Sequence, residues 1–258
     1  MIQRMTYACL FASLLACSTK KTETPAADTD TTAAQPEAVA PAPSPAAQLS
    51  EADAAAGYKL LFDGQTLNGW KYFKGQPSDS WDVVDGTLHC KPFADGRENQ
   101  RADIMTVDKY ANFELAFEWK ISAQGNSGVM FRVTEENDQP YLSGPEYQLI
   151  DNEGYPGDLK PEQFAGANYD MHTAPDAKTK PVGEWNESRL VVNGNHVEHW
   201  LNGTKVVEYE LGSADWKKRK AKSKWNDAKN YGMAKTGHID FQDHNHEAWF
   251  RNIRIKTL

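Results

Sequence analysis

Six polar residues near the C-terminus, His238, Asp240, Gln242, Asp243, His244 and His246, fall within nine positions and include three of the chain's seven histidines. Ile239 and Phe241 alternate with the first three of them, so a strand here turns its polar residues to one face and its apolar residues to the other. Asp243 to His246 then forms a tight polar turn. Imidazoles and carboxylates at this density are the groups that move protons near neutral pH. Three runs upstream carry polar residues in a similar way. In FELAFEWKI, Glu118 alternates with Phe117 and Trp119. In NSGVMFRV, Val129, Phe131 and Val133 leave Met130 and Arg132 on the opposite face. In EYQLID, Glu146 and Gln148 oppose Tyr147 and Leu149. If these three strands lie in one sheet, Glu118, Arg132, Glu146 and Gln148 project from the same side and form a sugar-sized polar site on an open face.

The elements that must position these residues are strands throughout. Tyr58 to Phe62 is apolar and runs into the turn-rich DGQTLNGW. Trp81 to Val84 and Gly86 to His89 predict a hairpin about Asp85-Gly86, and Arg189 to Tyr209 predicts a meander through Asn193-Gly194 and Asn202-Gly203. Few segments have helical periodicity. The exception is Lys217 to Lys222, which with Trp216 and Trp225 predicts a short surface helix docked by its tryptophans. The fold class is therefore all-β, a sandwich with Greek-key connections. The long stretch from Asn152 to Trp185 lacks periodicity. It contains Tyr155, Asp158, Tyr169, Asp170 and His172, and is expected to fold over the polar face as a lid.

Four segments in order, GNSGVMFR, EYQLID, WNESRLVVNGNHVEHWLNG and GHIDFQDHNHEAWFRNI, resemble the signature segments of a family of 3-keto-disaccharide hydrolases and 3-keto-glycoside 1,2-lyases. The resemblance spans roughly Gly57 to Leu258. It implies a concanavalin- and glucanase-like jelly-roll β-sandwich. Asn245 stands where the family usually has glycine, and asparagine tolerates the left-handed backbone such a position requires.

The resemblance also implies a reaction. A ketone at C3 of a sugar acidifies the proton on C2, so a modest base removes it, and the enolate expels the aglycone from C1. Addition of water to the enone completes a net hydrolysis. The site needs a base, an electrophile for the developing oxyanion and an acid for the leaving group. Glu146, Arg132 and His172 or His238 are the catalytic candidates, with Glu146 as base. Glu118, Gln148, Asp151, Tyr169, His199 and Gln242 are the substrate-binding candidates. A divalent cation could replace the arginine as electrophile, but no metal-binding spacing fixes ligands for one. Two other classes remain open. A retaining glycosidase wants two carboxyl groups about 5 Å apart, and the run Glu146 to Asp151 has glutamine where a middle acid would stand. A lectin-like module would stack sugars on Trp70, Tyr72 or Trp81.

Of the 258 residues, the first 56 do not read as fold. Residues 1–16 have the form of a signal peptide ending in Leu14-Leu15-Ala16, and Cys17 has the position of a lipidated N-terminus. Residues 17–56, rich in Ala, Pro and Thr, are expected to be a disordered tether. Residues 57–258 form the catalytic domain. These features predict a lipid-anchored protein of the cell envelope, periplasmic or on an outer membrane, that touches the membrane only through its acyl chains. From Gly57 onward the chain carries 25 basic and 30 acidic residues, net −5, which argues against nucleic acid as a partner. The expected partners are the sugar and the oxidoreductases that make its 3-keto form. Cys90 is left alone in the domain, so no disulfide within it is expected.

Overall fold

The computed structural model describes residues 46–94 and 100–258. The strands are β1 (Lys59–Leu60), β2 (Trp70–Tyr72), β3 (Trp81–Val84), β4 (Thr87–Cys90), β5 (Ile104–Thr106), β6 (Phe113–Ile121) and β7 (Asn126–Val133). They continue with β8 (Glu146–Ile150), β9 (Asn186–Asn193), β10 (His196–Leu201), β11 (Thr204–Glu210), β12 (His238–Phe241) and β13 (Ala248–Thr257). Two helices, α1 (Glu51–Ala55) and α2 (Ala214–Lys220), lie outside the sheets. One sheet has eight strands, in the order β11-β10-β9-β6-β13-β4-β3 with β1 also on β13; the other has five, in the order β2-β5-β12-β7-β8. Two antiparallel sheets stacked in this way are the expected jelly-roll sandwich.

Strand alternation builds the core. Phe113, Leu115, Phe117 and Trp119 of β6 face Val129, Phe131, Tyr147, Leu149, Ile239 and Phe241 of the smaller sheet, all of them buried. Phe117 meets the edges of Tyr147 and Phe241 at 6.1 and 5.8 Å between ring centroids. The predicted hairpins are present. Asp85 and Gly86 (φ 49° and 75°) close β3–β4, and Asn202 and Gly203 (φ 47° and 82°) close β10–β11, which is the twist-matched geometry of two-residue turns. Cys90 is a buried free thiol.

The structure differs from the sequence reading in four places. First, β6 belongs to the large sheet and β7 and β8 to the small one, so Glu118 is parted from Glu146. The Glu118 side chain is on the outer face of the large sheet, held by Arg251 Nε at 2.8 Å and Asn252 Nδ2 at 2.5 Å. Second, β7 carries a bulge. His238 pairs with Val133 but Asp240 with Met130, so β7 has one more residue than β12 across this step. Arg132 sits inside it with φ 53°. The extra residue inverts the alternation, and the guanidinium donates to the carbonyls of Ala111 and Gly194 instead of facing Glu146.

Third, the segment expected to be a lid is partly core. The Gln148 N–H donates to Ala167 O, the Gly166 N–H to Gln148 O and the Tyr169 N–H to Glu146 O, so this stretch closes the free edge of β8. Ala165, Ala167, Asn168 and Met171 are buried. Fourth, the folded part begins before Gly57. Ser50 caps α1, Asp53 pairs with Arg254 at 3.1 Å, and the Ala47 N–H donates to Asp63 O. The signal peptide, Cys17 and most of the tether lie outside the described residues. Among those described, no helix is long and apolar enough to cross a membrane.

The tryptophan-docked helix is α2. Trp216 continues a stack of near-parallel rings, His172, Tyr209, Trp216, Tyr231 and Trp225, with successive centroids 4.6, 5.5, 5.6 and 4.8 Å apart. This stack fastens residues 214–231 to the sandwich and brings Trp225 over the outer face of the small sheet.

Candidate active site

Along the small sheet, Met105, Asp240, Met130 and Glu146 are successive cross-strand partners and share its outer face. The next outward-facing row holds Gln242, Gly128 and Gln148, with Gln148 opposite Gly128 and the Gln242 N–H bonded to Gly128 O. This face is not open. Phe73, Met105, Met130 and Val133 form a second small apolar cluster over it. Residues from the 140–142 turn and from 224–228 roof the rest.

Beneath that roof lies a cavity of about 550 Å³ lined by Asn126, Tyr141, Leu142, Glu146, Gln148, Tyr169, Lys224, Trp225, Asp227, Ala228, Gln242 and His244. Its size suits a mono- or disaccharide-sized ligand. Glu146 is almost completely buried. Burial pushes its carboxyl up to about 8, with Lys224 pulling the other way and Asp103 adding to the rise. Space for that carboxylate exists because residue 128 is glycine: a Cβ there would lie 2.3 Å from Glu146 Oε1.

Lys224 sits at the rim with its ammonium 4.0 Å from the Tyr169 ring centroid and 4.6 Å from that of Trp225. Burial lowers its pKa, while the carboxylates of Glu146 and Asp170 oppose the fall. Tyr169 is pushed up to about 12, first by burial and then by Glu146, so its phenol stays protonated. His244 is pushed down by burial and by His246, which leaves a neutral imidazole at pH 7, and its Nδ1 is buried with no hydrogen-bond partner among the described residues. The cavity thus brings together a carboxyl group poised near neutrality, an ammonium, a phenol and a neutral imidazole around a carboxamide floor.

Of the catalytic and substrate-binding candidates named from sequence, Glu146, Gln148, Tyr169 and Gln242 line this cavity, as does His244 of the C-terminal polar cluster. The others lie elsewhere. His172 stacks on Tyr209, its Nδ1 against Asn168 Nδ2 at 2.9 Å, and burial lowers it to about 4. His199 is fully buried between the sheets with Nδ1 at 2.9 Å from Gly166 O, and burial takes it down to about 3. His238 points Nδ1 at Thr106 O, 2.7 Å away, and Nε2 toward Glu135. Asp151 spends its oxygens on the backbone N–H groups of Gln124, Glu153 and Gly154. It lines a separate cleft of about 720 Å³ beside Trp119 and Asn186. That cleft is larger, but Asn186 Oδ1 there is already taken by the Lys180 N–H and Asn202 Nδ2, so the chemistry favours the smaller cavity. Sequence reasoning missed Lys224, Asn126 and Tyr141. Lys224 falls in an aperiodic segment, and its only signal was adjacency to Trp225.

A jelly-roll sandwich with acid–base groups enclosed on its smaller sheet defines a carbohydrate-active enzyme. Residues 57–256 match the 3-keto-alpha-glucoside-1,2-lyase-like domain, and the chain belongs to that family. A 3-keto-disaccharide hydrolase of Bacteroides thetaiotaomicron is 35% identical over 231 residues, covering 79% of each chain. Two crystal structures from Parabacteroides distasonis, described as candidate glycosyl hydrolases, are also similar. One has 40% identity and a TM-score of 0.75, covering 83% of this chain and 99% of its own. The other has 28% identity and a TM-score of 0.60, covering 78% and 99%.

Proposed function

We propose that this enzyme cleaves 3-keto-glycosides by elimination followed by hydration, with Glu146 as the base that takes the C2 proton. The observation that carries the reading is the placement of Glu146, buried in the cavity opposite Lys224 and held by burial near a pKa of about 8. A base works best when its pKa lies close to the working pH. The C2–H electron pair moves into an enolate, whose oxygen the Lys224 ammonium stabilises. The enolate then re-forms the ketone and expels the aglycone from C1, leaving a C1=C2 enone. The newly protonated Glu146 donates the proton to the departing oxygen. Water added at C1 gives the 3-keto sugar. Lys224 takes the electrophile's role first given to Arg132, and Glu118 is on the wrong sheet to pair with Glu146 as a retaining glycosidase would require.

The family match and the 3-keto-disaccharide hydrolase relative support this substrate class. The reading extends to context. Cys17 anchors the protein to the cell envelope by lipid, and an oxidoreductase that oxidises a C3 hydroxyl supplies the substrate. The deciding experiment follows a 3-keto-disaccharide with wild type and Glu146→Gln across pH. Wild-type kcat/KM should rise with pH through about 8, as the base loses its proton, and the variant should lose about 10²- to 10⁴-fold. A profile that falls through the same range would make Glu146 an acid, and a variant keeping a tenth of the activity would remove it from the chemistry.

A further inference from the structure

Beside the cavity, Asp240 is fully buried, and neither of its carboxylate oxygens meets an N–H or O–H donor among the described residues. What it does meet is another carboxyl, Asp103, within hydrogen-bond reach. Asp103 is itself fixed, its Oδ1 accepting from the Asp243 N–H at 2.7 Å. Gln242, one residue beyond the end of β12 and two from Asp240, has its carbonyl Oε1 buried with no donor among the described residues. Asp243 Oδ1 takes Arg101. Among the described residues, these three carboxylates meet one guanidinium, and Asp240 is fully buried. Adjacent carboxylates in such a place either share a proton or share a cation. A shared proton would satisfy the acid pair but leave the acceptor Gln242 Oε1 bare.

We infer that Asp103, Asp240 and the Gln242 carbonyl form a binding site for a hard divalent cation such as Mg²⁺, Mn²⁺ or Ca²⁺. All the donors are oxygens, as these ions prefer, and two carboxylates with an amide carbonyl leave the remaining positions for water. The group of His196, Glu198 and Glu208 on β10 and β11, whose ligand atoms lie within 4.8 Å of one another, makes a useful contrast. There Lys205 already sits against both glutamates, 3.3 and 2.5 Å away, so its negative charge is met. The site at Asp240 adjoins the cavity but does not depend on the reaction assigned to it.

The test measures binding, not turnover. The full chain is stripped with chelator and titrated separately with Mg²⁺, Mn²⁺ and Ca²⁺ by calorimetry and thermal unfolding. At least one ion should bind with one-to-one saturation and raise Tm by about 5 °C or more at a hundred times its Kd. Asp240→Asn should abolish saturation, and the milder Gln242→Ala, which leaves both carboxylates, should weaken it about tenfold or more. His196→Ala should leave it intact. Failure of all three ions to saturate the folded wild type at about 10 mM, beyond the weakest protein sites for such ions, overturns the proposal. So does binding lost in His196→Ala but kept in Asp240→Asn. Higher stability of Asp240→Asn without any metal response would make the pair a proton-sharing one instead.

Discussion

Gly128→Ala tests the site without touching a reacting group. A Cβ at this position would stand 2.3 Å from Glu146 Oε1 and 2.9 Å from its Cδ and Cγ, whereas ordinary contacts begin at 3.4 Å. The carboxylate must therefore withdraw by about 1 Å, a displacement that typically costs a positioned catalytic group about a hundredfold in rate. The backbone has no reason to resist, because Gly128 is a β7 residue without a positive φ. Replacing glycine by alanine narrows the unfolded ensemble by roughly 0.4–1 kcal/mol, which offsets part of the contact strain. The expected outcome is kcat on a 3-keto-disaccharide down about a hundredfold, KM changed little, and Tm within a few degrees of wild type. Stopped assays of released sugar, with circular dichroism as a folding check, measure all three. A folded variant with more than half the wild-type kcat would refute the argument that the placement of Glu146 limits the reaction.

Three further outcomes follow from other parts of the molecule. Lys224→Met should lower kcat on the same substrate by about 10- to 10³-fold through the lost oxyanion partner, and it should move the rising limb of the pH profile upward, since Lys224 pulls Glu146 down. Removing Ala165 to His172 should lower Tm by about 10 °C or prevent folding, because buried side chains and the β8 edge are both lost; a deletion that kept Tm would restore the simple lid. Glu114 titrates low, at about 2. Burial pushes it up, but Arg189, Lys256 and Tyr58 hold it down more strongly. Its stabilising contribution is present above the unfolded carboxylate pKa of about 4.3 and fades as pH falls through the folded value, so Glu114→Gln should be destabilised at pH 7 and match wild type near pH 2 in urea titrations.

What could be read from the chain depended on which rule governed each residue. Strand alternation holds without interruption through β8, so the outward direction of Glu146 and Gln148 was legible, as was that of Gln242 just past β12. Alternation tells a residue's face but not its sheet, and that is why Glu118 went astray. A single inserted residue in β7 reverses the parity beyond it, and nothing in NSGVMFRV announces the bulge, so Arg132 was assigned to the wrong side. The histidines at 172, 199 and 238 looked chemical by type, yet ring stacking and backbone carbonyls absorb them. Lys224 was hidden because its position comes from the docking of Trp216 and Trp225, a tertiary event with no period in sequence. The jelly roll itself was legible from the turn dipeptides and the short alternating runs.

The column of rings from His172 to Trp225 has an optical consequence. Neighbouring rings in it lie 4.6 to 5.6 Å apart, close enough for ultraviolet excitation absorbed at Tyr209 or Tyr231 to reach Trp216 and Trp225 before it is emitted. Trp225 is the end of that chain which lines the cavity, and the Lys224 ammonium beside its ring is a charge that shifts indole emission. Sugar entering the cavity would displace water from Trp225 and move that ammonium. The protein therefore carries its own fluorescent reporter of occupancy, one that collects light from deep in the sandwich and reads it out at the wall where the substrate arrives.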